Sequence, residues 1–393
     1  MKLYEVLLCI YLLLKPYYIF SSGSLQIGDI ILTVAFILYL LKNRKKSIIK
    51  DTVKRNKKYI LFVLLTFVVN GIYYFAYYKY KFIISSLYYV FNLFIIMLFT
   101  EFINDDKKLV IMKNIVRFNI IAQLGIFALG LGRYYAPTRY MGTFNDPNQF
   151  AYYIFTSYLM IHLISIKTNE KRGDFLFLLL SILLIVFSSS TGMTLGIGLF
   201  LILELYNIVL KLPAIIKKNF GKIFAIVLTS LLIISVIGIF MDRDKINYIA
   251  NSLNDLTIVT RIKDKFSRID FETKDSELTI WEERGYDKIY NQPYVILYGA
   301  GEGEYGRFNA AHDGELHATL PSILFYYGII PTCILISWMF SYMKKQKFDV
   351  TIVYVAMLIE SFFLLNQRQA YFWILIIFGD ILRKNIKKME DKN

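Results

Sequence analysis

Cysteine is scarce in this chain: Cys9 and Cys333 are the two, each inside an apolar run. That argues against a disulfide framework and against a cysteine-based metal set. Charge is scarce as well. Of 393 residues only 19% are Asp, Glu, Lys or Arg, while 56% are hydrophobic and mean hydropathy is +0.48. A soluble domain of this length needs a more polar surface. The chain lacks internal repeats, low-complexity tracts and any basic aromatic platform of the kind that binds nucleic acid. It also lacks a small-residue cleavage site after its first apolar run, which carries Lys15. That run is expected to be a retained helix, not a signal peptide.

What is present is a series of separate apolar runs, most of them long enough to cross a bilayer. They are continuous rather than alternating, so helices are expected and not a β-barrel. The fold class implied is an all-α polytopic membrane protein of about twelve helices. Their expected positions are about Leu3–Phe20, Ile27–Leu41, Tyr59–Tyr78, Phe82–Phe102, Ile115–Leu131, Asn148–Ile166, Asp174–Phe187, Met193–Leu210, Ile223–Met241, Leu316–Tyr342, Val350–Leu365 and Ala370–Leu382. Helices one to nine occupy residues 1–241. A polar cap follows at 242–315, and the last three helices with a basic tail fill 316–393.

The formal charge of +15 is distributed unevenly. Lys and Arg crowd the loop Lys42–Lys58 and recur in alternate loops and in the C-terminal tail. That bias places those loops and both termini in the cytoplasm. The long segment 242–315 has more acidic than basic residues, so alternation puts it on the outside. Its amphipathic patches predict a small helical cap.

Candidate chemistry concentrates between Gly299 and Pro331. Two of the three histidines, His312 and His317, lie there beside Asp313 and Glu315. An imidazole titrates near neutrality and can take a proton from a hydroxyl. The plainer alternative is a polar helix cap at the membrane interface. The spacing does not match a His-Glu-x-x-His zinc motif, so no metal is expected. Arg133, Arg139, Arg284, Arg307 and Arg368 fall on the expected outer side, where guanidinium groups could hold phosphate. Each could instead pair with a neighbouring carboxylate, Glu282 and Glu283 beside Arg284 for example. Glu302, Glu304, Asp313 and Glu315 are candidate acceptors for sugar hydroxyls or partners for Arg307. Gly299, Gly301 and Gly303 predict a turn or a close backbone approach, since no Lys-Ser/Thr helix start follows. In GTFNDPNQFA, Asp146 and Pro147 are a helix start. Asn145 and Asn148 are left over to meet a sugar.

Four of these patterns resemble the O-antigen polymerase and ligase superfamily, which includes the Wzy-type polymerases. They are GTFNDPNQFA at 142–151, the break SSSTG at 188–192, the run from Arg284 through LYGAGEG, and His317 followed eleven residues later by Gly328. Ala318 stands where the family often has Asn, Ser or Gln, and Thr191 where it often has Arg.

The resemblance implies a glycosyltransferase-C-like fold in the bacterial plasma membrane with the active site facing outside. It implies a polysaccharide polymerase that moves a growing glycan from undecaprenyl pyrophosphate onto the next lipid-linked repeat unit, without nucleotide sugar, metal or other cofactor. A glycan ligase and a lipid-glycan flippase are the alternatives. His317 would activate the acceptor hydroxyl and Arg284 would stabilise the leaving pyrophosphate. Arg368, Arg139, Arg307, Asn148, Glu315 and His312 would bind substrate. Besides the lipid bilayer and the undecaprenyl-pyrophosphate-linked oligosaccharide, a chain-length regulator and a flippase are the expected partners.

Overall fold

A computed structural model describes residues 1–20, 25–44, 47–135, 138–211, 280–311, 313–362 and 364–390. The expected ninth helix, most of the expected cap, and His312 lie outside the described residues. Those that are described are mostly helical: α1 Leu3–Leu14, α2 Ile27–Asn43, α3 Ser47–Arg55, α4 Lys57–Tyr77, α5 Lys81–Phe102, α6 Asp106–Ala128, α7 Pro147–Thr168, α8 Asp174–Ser188 and α9 Thr191–Lys211 come first. Two short helices, α10 Ile280–Glu283 and α11 Asp287–Asn291, precede α12 Thr319–Tyr327, α13 Ile329–Met343, α14 Phe348–Glu360 and α15 Ala370–Glu390.

Five of these helices, α4, α5, α6, α7 and α9, are long and apolar enough to cross a membrane. Among the described residues that is fewer than the twelve expected over the whole chain. Pro16 follows α1, whose regular span ends at Leu14 after 12 residues; proline has no N–H for the helical ladder. The apolar run expected as one helix over 316–342 is divided. Leu316 N donates to the Tyr326 hydroxyl at 3.1 Å, His317 N to the Arg284 carbonyl and Thr319 N to the Ser361 carbonyl. Those bonds keep 316–318 extended, and the helix starts at Thr319. It breaks again at Gly328, where φ is +83° and a Cβ would sit 2.8 Å from the backbone of Tyr298 and Gly299.

The glycines near 300 do make a close backbone approach, and what they approach is this helix end. Ala300 N donates to the Phe325 carbonyl and Gly301 N to that of Tyr326. The last carbonyls of α12 are thereby satisfied, as every helix end requires.

Exposed apolar side chains fall in helical stripes, Ile30, Val34, Ile37 and Leu41 on α2 and Leu61, Leu64, Val68 and Ile72 on α4. A surface of that kind is expensive in water and natural against lipid tails. Between the helices the pattern inverts. Asn119 Nδ2 ties α6 to the Leu12 carbonyl of α1 and to the Tyr153 hydroxyl of α7. Asn56 Oδ1 accepts from Trp338 Nε1 at 3.0 Å and from the Tyr342 hydroxyl at 2.9 Å. Lipid supplies no hydrophobic drive for helices to meet, so such bonds, each worth about 0.6–2 kcal/mol, help specify the bundle.

At the centre is α7, with 83% of its apolar window buried against 28–56% for the other four. Its start is the one the sequence predicts: Asp146 Oδ1 accepts from Asn148 N at 2.8 Å and Gln149 N at 2.9 Å, with Pro147 in the first turn. The loop before it is not irregular throughout. A short hairpin pairs Arg133–Tyr135 (β1) with Arg139–Gly142 (β2).

Candidate functional site

One end of the bundle holds a cavity of about 380 Å³, within the range that ordinarily takes a small ligand. Five expected site residues line it: Asn145, Asn148, Glu315, His317 and Arg368. They come from three distant stretches of chain, the start of α7, the segment before α12, and the α14–α15 loop.

His317 reaches the cavity because its segment is extended. Alternate residues of an extended chain face opposite ways. Leu316 and Ala318 are fully buried, while Glu315 and His317 line the cavity. Arg284 lies behind this wall and is not part of the lining. Its carbonyl accepts from His317 N at 2.9 Å, and its Nη1 reaches the His317 carbonyl at 3.5 Å. Arg284 is therefore bound to the histidine backbone. Burial pushes its pKa down, against the pull of Tyr286, Glu283 and Glu360.

Asn148 is fixed by its neighbours. Its Oδ1 accepts from Arg139 Nη2 at 3.1 Å and from the Ser190 hydroxyl at 3.0 Å. Ser190 can reach because Ser189 takes a left-handed conformation, φ +51°, at the break between α8 and α9. Arg139 Nε also approaches the Ser188 carbonyl at 3.4 Å. Two sequence patterns that looked separate, GTFNDPNQFA and SSSTG, thus meet at one amide.

Arg368 stands on a loop locked on both sides. Asn366 and Gln367 are buried, with Asn366 N donating to Thr319 Oγ1 and the Gln367 carbonyl accepting from Asn92 Nδ2 at 2.7 Å and Trp373 Nε1 at 2.9 Å. The guanidinium meets Glu302 Oε1 at 2.7 Å, Glu315 Oε2 at 2.8 Å and the Tyr305 hydroxyl at 3.1 Å. Burial works against its charge, but Glu315 and Glu302 outweigh that and raise its pKa. One guanidinium between two carboxylates leaves the trio with one negative charge. That is the carboxylate pairing that stood as the alternative to a phosphate-binding role for Arg368. Glu302 is engaged by Arg368, not by Arg307.

Arg307 is not among the residues lining the cavity. Its guanidinium donates to the carbonyls of Ala300 and Gly301, while Nε bonds the Glu304 carbonyl. The rings of Tyr73, Tyr77, Phe82 and Phe308 surround it. It braces the glycine turn, and burial pushes its pKa down.

Residues that sequence inspection passed over complete the lining, among them Gln149, Tyr152 and Asn366. Gln149 and Tyr152 had a usable signal, since with Asn148 they lie within the first two turns of the same helix. Asn366, two positions before Arg368, had none beyond proximity. Among the described residues no three His, Cys, Asp or Glu side chains gather as a metal site would require. No protein-family model and no curated protein matches the chain.

Proposed function

We propose that the chain is a polysaccharide polymerase of the O-antigen and capsule type, acting on undecaprenyl-pyrophosphate-linked glycan at the outer face of a bacterial plasma membrane. In this reading the bundle has twelve spans in a glycosyltransferase-C-like arrangement, with both termini cytoplasmic and a long outer loop before α12. The observation that carries it is the cavity where His317, Asn148, Glu315 and Arg368 converge from distant stretches of chain. Charge at the opposite end supports the orientation. There Arg55 pairs with Asp380, Lys167 with Asp106, and Lys113 and Arg117 with Asp174, in keeping with a positive cytoplasmic side.

The chemistry is transfer of a glycosyl group. A hydroxyl of the incoming repeat unit attacks the anomeric carbon of the growing chain. The bond from that carbon to pyrophosphate oxygen breaks, and the electron pair leaves with undecaprenyl pyrophosphate. His317 takes the hydroxyl proton. Arg139 and Arg284, just behind the wall, supply positive field toward the leaving group, the kind of term that usually dominates such catalysis. Glu302 and Glu315 both meet Arg368 through Nη2, so phosphate would meet its other N–H groups.

The test compares glycan in producing cells carrying wild type or His317→Ala at matched protein level. Loss of long polymer with single lipid-linked units remaining supports the assignment. Long chains that stay on the lipid carrier would mean a ligase. Units trapped on the cytoplasmic side would mean a flippase. Unchanged polymer would remove His317 from the chemistry.

A further inference from the structure

Two buried polar atoms of the cavity lining, Gln149 Oε1 and the Tyr152 hydroxyl, have no hydrogen-bond partner, and neither has Glu360 Oε1, whose carboxyl group is bonded to Asn366 of the lining. Buried polar groups are ordinarily satisfied, so each such exception calls for an explanation. Gln149 and Tyr152 are three apart on α7, hence neighbours on its surface, and both line the cavity. Tyr152 is 2% exposed and Glu360, the last residue of α14, is 1% exposed. Asn366, itself in the cavity lining, donates its Nδ2 to Glu360 Oε2. One carboxylate oxygen is thus committed and the other is open. Gly196 of α9 closes in beside the stem of Glu360, where a Cβ would come within 3.5 Å of its Cβ and Cγ.

We propose that Gln149 and Tyr152 of the cavity lining, with Glu360 behind Asn366, form a sugar-hydroxyl subsite. The inference rests on the glycan reading above and adds to it where the sugar, as opposed to the pyrophosphate, is held. The chemistry selects the ligand. An amide oxygen accepts hydrogen bonds, while a phenol and a buried carboxyl group can each donate or accept. Their complement is a group with several O–H donors and an acceptor, which describes a polyol. A fully ionised phosphate offers no donor to the amide oxygen. The sugar ring then lies between α7 and the end of α14, and the pyrophosphate lies toward Arg139.

The experiment uses the full chain in lipid nanodiscs. The probe is the oligosaccharide repeat unit released by mild acid from lipid-linked material of producing cells. Binding is measured by calorimetry, and KM and kcat are measured with the intact lipid-linked unit. Tyr152→Phe and Glu360→Gln keep side-chain size, and Tyr158→Phe, on another part of α7, is the control. Loss of one hydrogen bond predicts weakening of binding by ~10-fold for each cavity variant. KM should rise similarly with kcat within a factor of three, and the control should match wild type. Wild-type affinity and KM in both cavity variants would overturn the subsite while leaving the polymerase reading intact. A loss of thermal stability with unchanged KM would mean the atoms serve a buried water instead, which also overturns it. If wild type neither binds the oligosaccharide nor consumes the lipid-linked unit, both the subsite and the glycan reading fall.

Discussion

Replacing Arg368 by glutamine isolates the electrostatic centre of the cavity wall. The guanidinium bridges Glu302, whose side chain is 3% exposed, and Glu315, whose side chain is 23% exposed. Glu315 can turn to solvent, so its share of the loss is small, about 0–1 kcal/mol. Glu302 cannot. It would keep the Tyr327 hydroxyl at 2.6 Å but lose its counter-charge. Stranding a buried charge costs about 3–5 kcal/mol. Arg368 is itself 27% exposed, which favours the lower end, so Arg368→Gln is expected to cost ~3 kcal/mol. Adding Glu302→Gln removes the stranded charge, and the double variant should be more stable than Arg368→Gln alone. The coupling energy from the four-protein cycle is expected between about 1 and 3 kcal/mol. Reversible unfolding in mixed detergent micelles measures all four proteins. If the double variant is no more stable than Arg368→Gln, Glu302 was not carrying a buried charge that needed Arg368.

Gly328→Ala forces a side chain into a left-handed conformation and against the backbone of Tyr298 and Gly299. The expected loss is above ~3 kcal/mol, seen as low yield of folded protein, and wild-type yield and melting would contradict the close approach. Asp146→Ala removes the cap that accepts from Asn148 N and Gln149 N and should cost about 1 kcal/mol. It should also weaken oligosaccharide binding in the calorimetric assay, because both capped residues line the cavity; a pure stability loss would separate the cap from the site. In a background without Cys9 and Cys333, a cysteine at exposed Tyr290 should react with an impermeant reagent on intact cells, while one at Lys347 should not. The reverse pattern would invert the membrane orientation.

Much of the local structure was legible because its causes are local. The Asp146–Pro147 start of α7 depends on residues within one turn. So do the uninterrupted apolar runs that became α4, α5, α7 and α9. The expected helix ten failed at its start and in its middle for reasons that are not local. Its first N–H groups bond to Tyr326, Arg284 and Ser361, and its middle is broken where Gly328 passes Gly299. The site divided the same way. Histidine and arginine advertise their chemistry by type, and His317, Asn148, Glu315 and Arg368 do share one cavity.

Residue type could not say which arginine is open to a ligand. Arg307 is spent on backbone carbonyls and aromatic rings, and Arg368 on two carboxylates, because the folded chain brings those groups within hydrogen-bonding distance. Nor could it single out Glu360, an acidic residue at the end of an apolar run. The sequence by itself determined that the chain is mainly helical and rich in long apolar runs, where α7 begins, and which segments are rich in positive charge, since short-range geometry and side-chain polarity suffice for that. Only the tertiary structure decided which polar groups satisfy one another and which are left over in the cavity, because that depends on distances between residues far apart in the chain.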